Sequence, residues 1–322
     1  MTKNKFSFGQ FAAVLLICTG LVSIGISLYV NQLTQKLEKE TLQLLSEFAD
    51  QDAQHVRSQV AADLGMLSSV ATAMSILPDP TLDNMIELLL TERKQNLFKN
   101  MALGNPDGTI RLDDGTTFNL AGMPHFEQAL KGKSQISERV ADIIDNENVL
   151  VESVPIRNKD EVIGVLMGTR NTAEFGKMLD MQSFGGEGYS LIVDSNGDKV
   201  VESFHKNAIS GLYNIFDMPD DPDHKLRDQV IKDFEARKRG VAKYNSARRG
   251  TLYISYQPLG INNWYLISVV PEEHIAKVTN TFITLLPMIC LMIALAALML
   301  GGYLHYIWPS MHQHLFARDI NQ

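Results

Sequence analysis

The sequence LVESVPIRNKDEVIGVLMGTR, residues 150–170, decides the fold of this chain. Two apolar runs, Leu150–Ile156 and Val162–Met167, flank a charged segment, Arg157–Glu161. Each run has the length of a strand and is rich in Val and Ile, which favour a pleated surface. Because the segment between the runs is short and polar, the pattern predicts an antiparallel β-hairpin in the middle of a large polar region.

The length and the net charge limit the possible number of domains and the possible partners. The chain has 322 residues and a formal net charge of −8, so it can form two domains and lacks the basic surface that nucleic acid requires. The basic patch Arg237–Arg239 with Arg248 and Arg249 is interpreted as a solvated helix end and loop. Both cysteines, Cys18 and Cys290, lie in apolar stretches, so the region between them must be stabilised by its core alone.

Two uncharged stretches, Phe11–Val30 and Thr281–Leu304, have the length that spans a bilayer. A cleaved signal peptide would have a shorter apolar core and a small-residue cleavage site, whereas the first stretch leads into a helical pattern. Tyr306 and Trp308 follow the second stretch, as interfacial aromatic residues do. We therefore expect two membrane spans, an extracellular or periplasmic region between them, and short cytoplasmic tails at residues 1–10 and 305–322.

Residues 31–77 read as one long helix. Apolar residues recur every three, four or seven positions, at Leu33, Leu37, Leu44, Phe48, Val56, Val60, Leu64 and Leu67. The stripe is narrow, and it suits contact with a second copy or packing against the following domains equally well. Pro78 and Pro80 end the helix, and Thr81–Lys94 is predicted to be a second, shorter helix.

The chain then changes to a strand pattern. Predicted strands lie at 96–103, 109–112, 134–140, 188–194, 199–203, 241–246, 251–257 and 264–270, in addition to the hairpin. A short helix is predicted within Phe118–Lys133, closed by Gly132, and another at Asn171–Met181. The order of strand, turn, strand, helical insertion and three strands occurs twice, which indicates two stacked α+β domains of one type.

Four blocks carry a resemblance to a known family: His125–Ser137, Leu150–Gly168, Phe184–Val201 and Tyr253–Ile275. In order and spacing they are similar to the double Cache (dCache) extracellular sensor, a PAS-like module of bacterial chemoreceptors, sensor kinases and diguanylate cyclases. The third block is most similar to the sensor halves of diguanylate cyclases. The resemblance covers about residues 31–280 and implies two tandem PAS-like domains behind a long helix.

The resemblance also implies a ligand site in the membrane-distal domain. In this chain it would be lined by Phe118, Met123, His125, Phe126, Ser137, Glu152, Val154, Met167 and Thr169. The amino-acid-binding subgroup resembles Arg-x-Trp-Tyr in the loop, with an Asp in the last strand, so that Arg and Asp hold the carboxylate and the ammonium. Here Met123 replaces that Arg and Thr169 replaces that Asp. We therefore expect a ligand other than an α-amino acid, and Arg139, Arg170 and Glu152 leave a polar or carboxylate ligand open.

Motifs for other functions are incomplete. Gly185–Gly188 precedes a strand instead of opening a helix, so it predicts a turn rather than a phosphate loop. Asp194–His205 lacks the Gly and the final Glu of a calcium loop, and His312 and His314 lack further metal ligands. No nucleophile with a base, and no cyclase, phosphodiesterase, kinase or chemoreceptor output motif, is found. We expect no enzyme activity, no cofactor and no metal site.

The sequence thus predicts a membrane-anchored extracellular sensor that binds a small molecule and relays the change to an output domain or a cytoplasmic signalling partner. A homodimer is expected, with the lipid bilayer as a further partner. The alternative is a membrane-tethered binding or scaffold protein without a signalling role. The predicted segments are the tail 1–10, span 11–30, sensor 31–280 (helix 31–77, distal domain 78–170, proximal domain 171–280), span 281–304 and tail 305–322.

Overall fold

The computed structural model describes most of the chain between residues 8 and 272 and short pieces beyond. The described residues are 8–77, 85–86, 89, 98–112, 114–177, 179, 186–208, 213–217, 224–246, 250–272, 288–289, 291–293, 295–299 and 301–302. Residues 42–274 form one compact unit that contains both β-sheets, and residues 1–41 with 275–322 form another. The predicted division of the sensor at residue 170 stays a prediction.

The first element is a single helix, α1, which spans Phe8–Ser75. The predicted long helix is therefore present and begins earlier than predicted. Its buried side chains between residues 45 and 74 are Leu45, Ala49, Ala53, Val56, Val60, Asp63, Leu67, Val70, Ala71 and Met74. Leu44, which the predicted stripe included, is 46% exposed. The buried stripe passes instead through Ala49 and Ala53, because small side chains let the helix come close to the rest of the unit.

A seven-stranded sheet follows α1, and we call it the first sheet. Its strands are β1 (Asn100–Gly104), β2 (Thr109–Leu112), β3 (Thr117–Asn119), β4 (Gln135–Ile136), β5 (Val140–Ala141), β6 (Asn148–Asn158) and β7 (Glu161–Asn171). Their order is β3-β2-β1-β7-β6-β4, and β5 also pairs with β6. Helix α2 (Pro124–Leu130) lies in sequence between β3 and β4.

The predicted hairpin is the pair β6 and β7, two antiparallel strands of 11 residues each. The turn is shorter than predicted, because Asn158 already pairs with Glu161. Lys159 takes a φ of 53°, the left-handed conformation that two-residue hairpin turns require. Both strands are longer than the apolar runs because the polar ends of the hairpin also join the ladder.

The second sheet has five strands in the order β10-β11-β12-β8-β9. They are β8 (Tyr189–Val193), β9 (Lys199–Val201), β10 (Gly240–Ser246), β11 (Gly250–Pro258) and β12 (Tyr265–Pro271). Helix α3 (Thr172–Lys177) precedes this sheet, and α4 (Lys225–Glu235) lies in sequence between β9 and β10. In both sheets the first strand pairs with the second and with the last, so the repeat of strand order in the sequence is a repeat of topology.

Some predicted elements differ or lie outside the described residues. The strand predicted at 134–140 is two short strands, β4 and β5, and β3 occupies the start of the region predicted to hold only a helix. The helix predicted at 81–94 is described only at Met85, Ile86 and Leu89, which are helical and buried. Residues 218–223 and 273–280 lie outside the described residues.

The predicted membrane spans are only partly described. Residues 11–30 belong to α1, but the side chains of residues 8–16, 18 and 19 are outside the described part. The span at 281–304 is described only in its short pieces, and both tails lie outside the description except for residues 8–10. Within the part of the chain that the structure describes, no helix is long and apolar enough to cross a membrane.

Candidate functional site

The first sheet is covered on both sides, and strand register assigns its residues to the two faces. Met167 pairs with Ala102 on β1 and with Ser153 on β6, so these three side chains share one face. Leu166 pairs with Leu103 and Val154, which therefore lie on the opposite face. We call the face of Met167 the α2 face, because side chains of α2 join its buried cluster. We call the face of Leu166 the α1 face, because side chains of α1 join its buried cluster.

Helix α2 places its apolar side chains on the α2 face. Pro124 is its first residue, where a missing N–H costs nothing, and Gly132 has a φ of 86° just beyond its end. Phe126 and Ala129 are fully buried in one cluster with Met167. Phe126 also lies against Gly104 of β1, since a Cβ at Gly104 would fall 2.5 Å from Phe126 Cε2. The glycine thus makes the room that the ring occupies.

Two buried polar atoms in this region have no hydrogen-bond partner among the described residues: His125 Nε2 on α2 and Ser153 Oγ on the α2 face. His125 is 6% exposed and Ser153 is fully buried. Burial lowers the pKa of His125 to about 4, so its ring is neutral at physiological pH. Buried polar groups nearly always have partners, and a polar ligand or an ordered water would supply one for each of these atoms.

One edge of the α2 face is polar. Asn100 of β1 pairs with Thr169 of β7, and the Thr169 hydroxyl donates to the Asn100 carbonyl at 3.2 Å. Lys99 Nζ lies 2.9 Å from Asp142, 2.5 Å from Asp145 and 2.9 Å from Glu147. Burial acts to lower the pKa of Lys99, but hydrogen bonds to these carboxylates raise it above its ordinary value. The Lys99 ammonium therefore stays charged and neutralises part of the acidic group around it.

The structure brings together some of the nine predicted site residues. Phe126 and Met167 belong to one buried cluster on the α2 face, the half-buried Phe118 packs against it, and Thr169 lies on the same face by register. His125 is buried on α2, whereas Met123 is 45% exposed at its N-terminal end. The Ser137 hydroxyl is already engaged, since it accepts from the Val151 N–H at 2.8 Å and donates to the Glu138 carbonyl at 2.6 Å.

Glu152 and Val154 are not with the others. Both lie on the α1 face of β6, and Val154 packs in the cluster that contains Leu67 and Met74 of α1. Conversely, Ser153 and Asn100 lie on the α2 face and were not predicted. Once the register places Glu152 and Val154 on the α1 face, alternation places Ser153, which lies between them, on the α2 face.

On the α1 face, three ionisable side chains form a cluster that we call the Glu152 cluster: Asp63 of α1, Glu152 of β6 and Arg170 of β7. Arg170 Nη2 donates to Asp63 Oδ2 at 2.6 Å, and the guanidinium carbon lies 5.4 Å from the centre of the Phe98 ring. The pKa of Glu152 is raised to about 8, chiefly by burial and also by the Asp63 charge, against the lowering effect of the Arg170 charge. The sequence predicted Glu152 for ligand contact, and the structure places it against α1.

The candidate site offers groups for hydrogen bonding and for apolar contact. Its described groups are a neutral imidazole, hydroxyls and apolar side chains on the α2 face. Among the described residues, no group of three or more His, Cys, Asp or Glu side chains could hold a metal ion. A nucleophile paired with a base is not among the contacts described. The arrangement can accept and donate hydrogen bonds to a small molecule and can enclose its apolar part.

Comparison with known proteins supports this reading of the fold. The model of the Cache domain, in its double (dCache) form, matches residues 30–277. No curated protein matches the chain in sequence. Solved structures that resemble it include ligand-binding domains of bacterial chemoreceptors and the extracellular domain of a putative histidine kinase.

One is PctB of Pseudomonas aeruginosa PAO1 in complex with L-Arg, with 19% identity, a TM-score of 0.57, and coverage of 73% of this chain and 97% of that one. Another is CtaA of Pseudomonas fluorescens in complex with L-serine, with 16% identity, a TM-score of 0.57, and coverage of 73% and 99%. PctC of Pseudomonas aeruginosa PAO1 in complex with GABA has 18% identity, a TM-score of 0.52, and coverage of 71% and 99%. At these identities the likeness shows the fold alone.

Proposed function

Because this chain belongs to the Cache domain family, we propose that it is a membrane-anchored extracellular sensor. In this proposal a small molecule binds the distal domain, residues 78–170, on the α2 face of the first sheet. The observation that carries it is the pair of buried polar atoms without described partners, His125 Nε2 and Ser153 Oγ. Leaving such atoms unpaired costs about 1–3 kcal/mol each, which a ligand would recover.

The proposed ligand is small, polar and not an α-amino acid. The chemoreceptor domains of similar fold are recorded with amino acids or GABA. In this chain Met123 and Thr169 stand where the resemblance places the groups for carboxylate and ammonium. Asn100, which pairs with Thr169, donates from Nδ2 to Asp142 at 3.4 Å, and that carboxylate is also paired with Lys99. The neutral His125 and the Ser153 hydroxyl suit an uncharged polar group better than either pole of an amino acid.

The membrane anchoring rests on the two uncharged stretches, residues 11–30 and 281–304. Large apolar side chains that are exposed in these stretches support it: Ile17, Leu21, Val22, Ile24, Leu28, Tyr29, Met288, Ile289, Leu291, Met292, Ile293, Leu295 and Met299. Water would be a poor solvent for such a run, and lipid would be a good one. We propose that α1 relays ligand binding through the bilayer, within a homodimer, to an output domain or a cytoplasmic partner.

A thermal shift screen of the full chain in detergent tests the ligand site, since a ligand that binds only the folded state raises Tm. The panel contains amino acids, carboxylates, amines and nucleobases. We expect a shift from a compound other than an α-amino acid, reduced at least tenfold in apparent affinity by Ser153→Ala and His125→Ala. Ser268→Ala is the matched control, because Ser268 is a fully buried strand serine of the second sheet.

The result also separates the sensor from its alternative. A shift from ordinary α-amino acids overturns the proposed ligand class. A shift that survives both substitutions overturns the proposed site. No shift from any compound favours the tethered scaffold protein.

A further inference from the structure

The Glu152 cluster lies at the junction of two hydrophobic cores along α1. Val60 belongs to the core that contains Trp264 and Leu266, and Leu67 belongs to the core that contains Val154 and Leu166. Leu64 packs against both cores, and Asp63 is its neighbour in sequence. A change of charge in the Glu152 cluster would therefore occur where α1 packs against both hydrophobic cores.

Glu152 is an unusual residue at such a junction. It is fully buried, and neither of its carboxyl oxygens has a hydrogen-bond partner among the described residues. Arg170 Nε is also buried without a described partner. A buried carboxylate in this setting would be strongly disfavoured, whereas a protonated carboxyl is tolerated. The geometry therefore favours a proton on Glu152.

The charged groups that face Glu152 come from two elements. Asp63 on α1 is ionically paired with Arg170 and accepts a hydrogen bond from Gln59 at 2.9 Å. Arg170 on β7 lies diagonally across the ladder, since Glu152 itself pairs with Gly168. These are the charges that act on Glu152 within the described residues. With Glu152 protonated the three groups are neutral in sum; with Glu152 ionised, two carboxylates face one guanidinium.

We propose that Glu152 is a proton-binding site through which external pH acts on α1. Below the transition Glu152 is neutral and Asp63 holds α1 to the sheet through Arg170. Above it, the Glu152 carboxylate competes for the same guanidinium and repels Asp63, so that α1 shifts away from β6. The protein would then respond to alkaline pH at a site separate from the ligand site. The role of α1 in this inference rests on the proposed function.

The direction of the pH effect follows from linkage. Burial raises the pKa of Glu152 from 4.5 to about 8, so the folded chain holds a proton that the unfolded chain has released. Stability from this group is full below about pH 4.5 and is lost as pH rises through about 8. His125, whose pKa burial lowers from 6.5 to about 4, acts only below about pH 6.5. Measurements between pH 6.5 and 9 therefore isolate Glu152 from His125.

The test uses the full chain in detergent without added ligand. We expect the Tm to fall by about 5 °C more between pH 6.5 and 9 in the wild-type chain than in Glu152→Gln, which fixes the neutral form. Glu161→Gln, at an exposed position of the same hairpin, is the matched control and keeps the wild-type slope. Asp63→Asn removes the charge that raises the pKa of Glu152, so its transition moves to lower pH.

A distance measurement tests the coupling to α1. In a Cys18→Ser, Cys290→Ser background, spin labels are placed at the exposed positions 69 on α1 and 159 at the hairpin turn. We expect the label separation to change by about 1–2 Å between pH 6.5 and 9 in the wild type and to stay constant in Glu152→Gln. A wild-type pH slope in Glu152→Gln overturns the proton site, and a constant distance in the wild type overturns the coupling.

Two safeguards keep the outcomes distinct. If Glu152→Gln does not fold, the comparison of Asp63→Asn with Glu161→Gln decides, and an unmoved transition in Asp63→Asn overturns the proposal. The measurements need no ligand, so failure of the ligand screen leaves this test standing. A positive screen with a flat pH profile would overturn the proton site and leave the sensor proposal intact.

Discussion

Arg170 of β7 donates a hydrogen bond to Asp63 of α1 across 2.6 Å inside the protein, where both side chains are buried. The two residues are 107 positions apart in the sequence, and their contact ties the long helix to the hairpin that organises the first sheet. Charged side chains are rarely buried without a partner, so each residue here is tolerated only because of the other.

Removing either Asp63 or Arg170 alone should lower the free energy of unfolding. Arg170→Met leaves the Asp63 carboxylate buried without a counter-charge and is expected to lower the free energy of unfolding by about 3–5 kcal/mol. The double variant Asp63→Asn with Arg170→Met removes both charges and should recover much of that loss. Urea unfolding measures each value. Lys206→Met is the control, because it breaks the Lys206–Glu187 pair, in which the lysine is exposed, and should cost less than about 1 kcal/mol.

Gly104 and Gly65 give a matched pair of glycine substitutions. A Cβ at Gly104 would lie 2.5 Å from Phe126 and 2.6 Å from Ile110, so Gly104→Ala should lower stability by about 1–3 kcal/mol through overpacking. A Cβ at Gly65, exposed on α1, meets nothing within 4 Å, so Gly65→Ala should raise stability by about 1 kcal/mol. Thermal unfolding checks both signs, and a stabilising Gly104→Ala would contradict the packing described on the α2 face.

His125 should make the chain sensitive to acid. Burial holds its pKa at about 4 against 6.5 in the unfolded chain, so the unfolded state takes up a proton first as pH falls. Stability from this group is therefore lost between about pH 6.5 and 4, by up to about 3 kcal/mol. His125→Gln should remove that part of the acid dependence in a urea unfolding series. Replacement of the exposed His224 by Gln should leave the acid dependence of stability unchanged.

The stability of the chain should depend on the hydrogen bond between Trp264, which directly precedes β12, and the carboxylate of Glu138. Trp264 Nε1 donates to Glu138 Oε2 at 2.6 Å, and the Trp264 side chain is otherwise buried. Glu138→Gln keeps an acceptor oxygen and should change stability little. Glu138→Ala removes it and should cost about 1–3 kcal/mol. Tryptophan fluorescence during denaturant unfolding measures the stability of both variants. A Glu138→Ala variant as stable as Glu138→Gln would mean that the hydrogen bond contributes nothing.

Parts of the fold could be predicted because the local signals are strong. Val and Ile at both arms of the hairpin and polar residues at its turn specify β6 and β7. Gly132 marks the end of α2. The ends of the strands were less accurate, because polar residues such as Asn148 and Glu161 pair in the ladder without an apolar signal.

The faces of the hairpin could not be assigned from the sequence. Val151 and Val154 are both apolar and both buried, on opposite sides of β6, since the sheet is covered on each side. Alternation then carries no information about which side binds a ligand, and the ligand contact predicted for Glu152, which lies on the α1 face, stays a prediction. The buried face of α1 was predicted inaccurately for a related reason. Ala49 and Ala53 give little hydrophobic signal in the sequence, yet both are buried in the structure.

Ser153 and Glu152 are consecutive residues of β6, and a single peptide bond separates the α2 face of the sheet from its α1 face. A molecule that displaced the strand from the α2 face would therefore move Glu152 beside α1 as well. The same adjacency makes β6 intolerant of a change in its length. Deletion of one residue upstream within the strand would exchange the two side chains, placing an acid on the α2 face and a hydroxyl against α1, an error that no single substitution reproduces.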